Sequence, residues 1–183
     1  MTNTLIPLKK TRGDLYCQFV RLYKDYMTEL SRISPSVKAT VKESEILSIC
    51  YSQEIEKFLI KHNDIIVGFL LIGIGDNKHP DSDYYIGEFY IDKPHQNKGI
   101  GKSIMENFIN ERGGRYCLYV LKNNVRAMYF WQEVFLKQDY SDCSYKYTKE
   151  CHDENVFFLF FSPHNHKPAS SMQSPNTSIC VDE

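Results

Sequence analysis

Midway along the chain the spacing of apolar residues changes period. Tyr84–Asp92 is rich in aromatic and β-branched side chains and predicts a strand. Gly99–Glu111 carries Ile100, Ile104 and Phe108 one turn apart, the single apolar stripe of a helix. Between them lies Gln96-Asn97-Lys98-Gly99-Ile100-Gly101-Lys102, and Arg115–Leu121 beyond is strand-like again. This commits the chain to a strand–helix–strand unit, whose two strands pair in parallel through a right-handed crossover. It also leaves the first N–H groups of the helix unpaired and partly positive, which suits phosphate or pyrophosphate. Gly99 and Gly101 permit close backbone approach and unusual φ values, and Lys98 and Lys102 add cationic charge.

The flanking segments complete a mixed architecture. Asp14–Ser31 predicts a helix, with Leu15, Phe19, Leu22, Tyr23 and Tyr26 at three- and four-residue intervals. Lys42–Tyr51 predicts a second, weaker one, and Pro35 separates the two. Glu56–His62 and Ile65–Gly75 flank the tight-turn composition His62-Asn63-Asp64, which reads as an antiparallel hairpin. Asn124–Phe135 predicts another helix, with Asn124 placed to cap it; Tyr140–Lys149 and Asn155–Phe161 read as late strands. The fold class is therefore α/β (α+β), a central mixed but mostly antiparallel sheet of about six to seven strands flanked by about four helices. At 183 residues this is one domain, residues 1–161. Residues 162–183 are rich in Ser and Pro, lack aromatics and read as a disordered tail.

Several function classes are disfavoured. Twenty-two basic against 23 acidic residues give a net charge of -1, without the basic excess of a nucleic-acid binder. The cysteines (Cys17, Cys50, Cys117, Cys143, Cys151 and Cys180) lie far apart, with no Cys-x-x-Cys pair, so neither a disulfide framework nor a metal site is expected. His164-Asn165-His166 lacks further ligands nearby. The first residues do not read as a signal peptide. The longest apolar stretch, Ile65–Ile74, is about half the roughly 20 residues that span a bilayer, so a cytoplasmic setting without membrane anchor is expected. Asp76, Asp81 and Asp83 form an acidic loop, for which solvation and attraction of a cationic acceptor are both readings.

Two phosphate-binding readings apply to the glycine-bearing link. Gly101-Lys102-Ser103 matches the end of the P-loop pattern G-x-x-x-x-G-K-[ST], but position 96 is Gln, and a hairpin and two helices come first. The alternative is a family resemblance. Gly87–Gly101, with Gln96, Gly99 and Gly101 in the pattern Q/R-x-x-G-x-G/A after a strand, resembles the acyl-CoA-binding motif of GNAT-superfamily N-acetyltransferases. Asn124-Val125-Arg126-Ala127-Met128-Tyr129-Phe130-Trp131 resembles that family's second signature, N-x-x-A-x-x-F-[YW], one helix and one strand downstream. The resemblance extends over the order of elements from about Leu5 to Phe161.

The resemblance implies a GNAT-like fold and an acetyl-CoA-dependent N-acetyltransferase that needs no metal. The backbone of Phe89, Tyr90 and Ile91 would pair with the pantetheine arm. Backbone N–H groups from Gln96, Asn97, Lys98, Gly99, Ile100 and Gly101, with Lys102, would hold the pyrophosphate. Asn124 would contact the arm or a neighbouring backbone group, Trp131 would wall the thioester pocket, and Glu88 is the candidate base. Two positions depart from the family. Trp131 stands where a Tyr is often proposed to protonate the leaving thiolate, and Phe135-Leu136 replaces a frequent Gly-Phe. Tyr129 lies about 200° round the helix from Trp131 and does not substitute for it. The acceptor is read as a small-molecule amine, with a protein N-terminus or Lys as the alternative and a non-catalytic acyl-CoA-binding module as a different class. Monomer and homodimer are both open.

Overall fold

The computed structural model describes residues 2–9, 11–74, 82–136, 144–150 and 153–161. Among them the order is β1 (Asn3–Pro7), α1 (Asp14–Ser31), α2 (Glu43–Tyr51), β2 (Ile55–His62), β3 (Ile65–Gly73), β4 (Tyr84–Ile91), α3 (Ile100–Arg112), β5 (Arg115–Leu121), α4 (Val125–Leu136), β6 (Ser144–Glu150) and β7 (Asp153–Phe161). A short 3-10 turn, Lys93–His95, leads from β4 towards α3. The expected tail, residues 162–183, lies outside the described residues, as do Asp76 and Asp81.

The strands form one seven-stranded sheet in the order β1-β2-β3-β4-β5-β7-β6. Every neighbouring pair is antiparallel except β4 and β5, the parallel pair expected of the crossover through α3. The strand the sequence patterning misses is β1, five residues ending in Pro7 and paired from Asn3↔His62 to Pro7↔Phe58. An edge is where a sheet tolerates proline.

Two apolar layers cover the sheet. On one face Phe19, Leu22 and Tyr23 of α1 and Ile46 of α2 pack on Leu59, Phe69, Leu71 and Tyr90. On the other, Met105 and Phe108 of α3 and Trp131, Val134 and Phe135 of α4 pack on Leu70, Ile72, Ile86, Tyr116 and Leu118. Strand β3 serves both layers, so its sequence is a continuous apolar run rather than an alternation. Each large side chain buried this way contributes roughly 1.5–3 kcal/mol. Gly68 lets β3 and β4 approach, because a Cβ there would stand 2.1 Å from the Tyr90 carbonyl oxygen.

The sheet is not closed throughout. Pairing between β4 and β5 covers Tyr84↔Tyr116, Tyr85↔Cys117 and Ile86↔Leu118 and then stops, although both strands continue. The cause lies on the other side of β4. Leu71 pairs with Glu88 and Ile72 with Ile86, so Gly87 is an extra residue in β4, a β-bulge. A bulge bends its strand and increases the local twist. Past Gly87, β4 stays with β3 and leaves β5, which opens the sheet between them.

Candidate active site

The opening is a cleft of about 240 Å³. Tyr26, Leu30, Val37, Tyr85, Glu88 and Tyr119 line it, together with Phe89, Asn124, Ala127 and Trp131. The face of β4 decides which side chain serves which wall. Glu88 and Tyr90 meet α1, whereas Phe89 meets Phe130 and Trp131 of α4.

The β4 backbone divides in the same way. The Asp92 N–H donates to the Val67 carbonyl at 2.8 Å. Hydrogen-bonded and non-bonded pairs alternate along an antiparallel ladder. Tyr90 and Glu88 therefore turn their backbone groups to β3, and Phe89 and Ile91 turn theirs to the opening. Of the three backbones the resemblance named, Phe89 lines the cleft, Ile91 turns its groups to the same side of β4 beyond the cleft lining, and Tyr90 is committed to the sheet. The Ile91 carbonyl accepts the side-chain N–H of Gln96 at 2.8 Å.

Glu88 is half-buried on the cleft wall, with its carboxyl enclosed by protein. Enclosure penalises the charged form and pushes its pKa up to about 7, although a hydrogen bond donated by the Tyr26 hydroxyl acts in the opposite direction. The Tyr26 hydroxyl is held in its protonated form, first by burial and then by the Glu88 charge. Tyr26 escaped sequence reading because its spacing on α1 marks it equally as core, and its ring does pack edge-on against Phe69.

At the far end of β4 the chain reaches α3 through two left-handed residues, Asn97 at φ 60° and Gly99 at φ 74°. Gly99 is the N-cap, without a side-chain cap, and its carbonyl accepts the Ser103 N–H at 3.0 Å. The preceding N–H groups, Ile100 to Lys102, belong to the first turn and point out of the helix end. Gly101 has a separate reason: a Cβ there would lie 3.2 Å from the Phe89 ring and 3.3 Å from Phe130. Lys98 is exposed, and Lys102 stands 3.8 Å from Glu106.

Gln96 shows why this link is not a P-loop. Its side-chain N–H groups reach the Ile91 carbonyl and, at 3.5 Å, Glu29. Its Oε1 accepts from Arg126 at 3.2 Å, and Arg126 also donates to Asn97 Oδ1 at 3.3 Å. Glu29 in turn accepts the Tyr90 hydroxyl at 2.9 Å. Position 96 thus uses a side chain to tie the link to β4, α1 and α4. Sequence alone marks neither Glu29 nor Arg126; Arg126 lies inside the second signature, and Glu29 follows Tyr26 by three residues with no marker of its own.

Asn124 Oδ1 accepts the Ala127 N–H at 3.2 Å, so it caps α4 while lining the cleft. Trp131 is buried, stacked on Phe135 with centroids 5.5 Å apart, and forms part of the wall. Tyr129 points away, 67% exposed. Asp83, of the acidic loop, is bound by the Arg115 guanidinium and backbone N–H, the latter at 2.8 Å. Among the described residues no group of three His, Cys, Asp or Glu is placed to hold a metal, and no helix is long and apolar enough to cross a membrane.

Residues 19–135 match the family model described as the acetyltransferase (GNAT) family, well over half of the chain. Solved structures share the fold. An acetyltransferase from Thermus thermophilus aligns over 87% of this chain and 96% of its own, with TM-score 0.61 and 16% identity. A GNAT family acetyltransferase from Elizabethkingia anophelis, with acetyl-CoA bound, aligns over 87% and 98%, with TM-score 0.54 and 16% identity. The spermidine N-acetyltransferase of Vibrio cholerae, in complex with CoA and spermine, aligns over 87% and 95%, with TM-score 0.59 and 12% identity. Among curated proteins none matches.

Proposed function

The chain belongs to the GNAT acetyltransferase family and is an N-acetyltransferase; on that premise we propose that it moves the acetyl group of acetyl-CoA to a small-molecule primary amine by direct attack within a ternary complex. One observation carries this reading: the opening between β4 and β5 has Glu88 on one wall and leads, along the free edge of β4, to the uncapped N-terminus of α3.

The residues present fit acetyl-CoA. Its diphosphate needs anion-binding donors, and the first turn of α3 supplies N–H groups and positive dipole beside Lys98 and Lys102. Its pantetheine arm carries amides; Phe89 turns its backbone N–H and carbonyl, and Ile91 its N–H, to the side of β4 that β5 leaves unpaired, the Ile91 carbonyl being held by Gln96. Asn124 and Trp131 line the same cleft. When bound, acetyl-CoA supplies an acetyl thioester. Solved relatives with acetyl-CoA, or with CoA and spermine, support both classes of ligand.

The chain's part in the chemistry centres on Glu88. An alkylamine has a pKa near 10.4 and arrives protonated. A carboxyl titrating at about 7 is ionised in roughly half the molecules at neutral pH, and can accept that proton. The amine nitrogen then bonds to the acetyl carbonyl carbon as the carbon–sulfur bond breaks. One ammonium proton leaves through Glu88 to solvent, and a second goes to the departing sulfur. The backbone donors of β4 polarise the carbonyl, as an oxyanion hole does. Indole is no acid, so Trp131 takes no part in the proton transfer. Positioning the two reactants side by side supplies much of the remaining acceleration.

Thermal unfolding with acetyl-CoA, CoA or ATP–Mg added separately tests the reading. A ligand at about 100 times its Kd stabilises the fold by about 2.7 kcal/mol, several degrees in Tm. Shifts with both CoA species and none with ATP are expected. No shift with either CoA species overturns the reading.

A further inference from the structure

The acceptor wall of the cleft carries more information than its one carboxylate. Its contributors come from three places: Tyr26 and Leu30 from α1, Val37 from the link to α2, and Tyr85, Glu88 and Tyr119 from the two parting strands. Tyr85 and Tyr119 pack edge to face, their centroids 6.0 Å apart, at the point where β4 and β5 stop pairing. Among the described lining residues Glu88 is the one carboxylate, and no Lys, Arg or His lines the cleft. Its Tyr26 hydrogen bond is already made. Glu29, the next carboxylate along α1, holds the Tyr90 hydroxyl and does not line the cleft.

We propose, resting on the acetyltransferase reading above, that the acceptor is a primary monoamine with an apolar body of about one aromatic ring on a short linker. Glu88 pairs with the ammonium, and the rings of Tyr85 and Tyr119 with Leu30 and Val37 enclose the body. Aromatic pairs contribute beyond their area when offset or edge-on. The remaining chemistry works by exclusion. A second ammonium would be buried with no described carboxylate to meet it, and a buried unpaired charge is costly. A carboxylate on the acceptor would face Glu88. The cleft, at about 240 Å³ and shared with the thioester end of the co-substrate, favours a small body.

The test uses the full chain with 2-phenylethylamine, spermidine and kanamycin as acceptors, and mass spectrometry of the acetylated products. Trp131 is the single tryptophan and lines the cleft, so its fluorescence reports amine binding to the CoA-saturated protein without turnover. The expected kcat/KM for 2-phenylethylamine exceeds that for spermidine about tenfold or more, the factor that 1.4 kcal/mol of misplaced charge produces. Only 2-phenylethylamine should change the fluorescence. Tyr85→Ala should remove most of this preference and Tyr85→Phe should keep it. Val37→Asp, on a loop and so without risk to the sheet, should raise turnover of spermidine relative to 2-phenylethylamine. Preference for spermidine or kanamycin, or no response to 2-phenylethylamine by either readout in protein that binds CoA, overturns the inference and leaves the acetyltransferase reading standing. Failure of CoA to bind at all strikes the reading beneath it.

Discussion

The two walls of the cleft are built from different materials. On the proposed reading the co-substrate wall is largely main chain: the outward groups of Phe89 and Ile91, the first turn of α3, and Gly101, whose missing Cβ makes room beside Phe89 and Phe130. The acceptor wall is side chain: three tyrosines, Leu30, Val37 and one carboxyl from separate segments. Main-chain recognition suits a ligand common to a whole family, because it depends on backbone course and little on residue identity. Side-chain recognition lets one chain differ from the next, and under the proposed function it concentrates both selectivity and proton transfer on the acceptor side.

That contrast is broken most severely at Glu88. Glu88→Gln keeps the shape and a Tyr26 contact but cannot take a proton. We expect kcat to fall about 10²–10⁴-fold, the usual worth of a positioned base, while the Kd for acetyl-CoA, measured by calorimetry, stays within error. Loss of CoA binding in parallel would mean that the two walls are not separable. In the parent protein the rate should rise with pH through about 7, as Glu88 ionises, and the variant should lose that limb. Stability has the opposite sign. The folded carboxyl holds its proton to higher pH than the unfolded one, so Glu88 opposes folding progressively as pH rises from its ordinary value to about 7, and by a constant amount above. Relative to the parent, Glu88→Gln should therefore gain in Tm across that window, a trend that denaturation at several pH values checks.

Gly101 probes the main-chain wall. Gly101→Val sets atoms against Phe89 and Phe130, where even a Cβ finds 3.2–3.3 Å. Overpacking of this kind costs about 1–3 kcal/mol. The expected result is a weaker Kd for both CoA and acetyl-CoA, with the preference among amines unchanged. A shift in amine preference would show that the co-substrate wall also sets acceptor choice.

The same contrast explains what was legible in the sequence. The limits of α1 and β5 coincide with those read from the sequence, α1 because it buries one consistent face and β5 because it is a short apolar run, buried on both faces at Tyr116, Cys117 and Leu118, that follows the Gly113-Gly114 stop. The site's main-chain half was legible too, since backbone recognition leaves glycines at fixed spacing: Gly99 for its left-handed φ, Gly101 for its crowded Cβ. The opening itself was not. It depends on a bulge at Gly87, which a linear reading shows only as one more glycine in a strand. β1 was missed because it forms only by pairing with β2. Tyr26 and Leu30 are one turn apart on α1, a spacing that fits core as well as site, and they meet Val37 and Tyr119 only through tertiary packing, so of the acceptor wall the sequence points to Glu88 alone, carried by the recognisable strand.

Asn124 joins the two kinds of wall, as a side chain that caps α4 and lines the cleft. Asn124→Ala should cost about 1 kcal/mol of stability, typical of a lost N-cap. Asn124→Ser retains an oxygen for the Ala127 N–H and should recover most of it. If Asn124→Ser restores Tm but not the affinity for acetyl-CoA, the amide has a second duty towards the pantetheine arm; if both return, it is a cap alone.

A several-fold effect on binding is expected at Gln96, where the P-loop and acetyltransferase readings of the same segment make opposite forecasts. Gln96→Gly completes the spacing G-x-x-x-x-G-K-S with Gly101, Lys102 and Ser103. If glycine spacing alone made a nucleotide site, the variant would acquire ATP–Mg binding. The structure gives position 96 a different task, since its side chain holds the Ile91 carbonyl and receives Arg126. Removing it deletes hydrogen bonds worth about 0.5–1.5 kcal/mol each and frees the link that presents the α3 N-terminus. Acetyl-CoA should therefore bind several-fold more weakly, with ATP–Mg producing no thermal shift. An ATP-dependent shift in Gln96→Gly would mean that the N-terminus of α3 selects its anion by loop composition rather than by the course of β4.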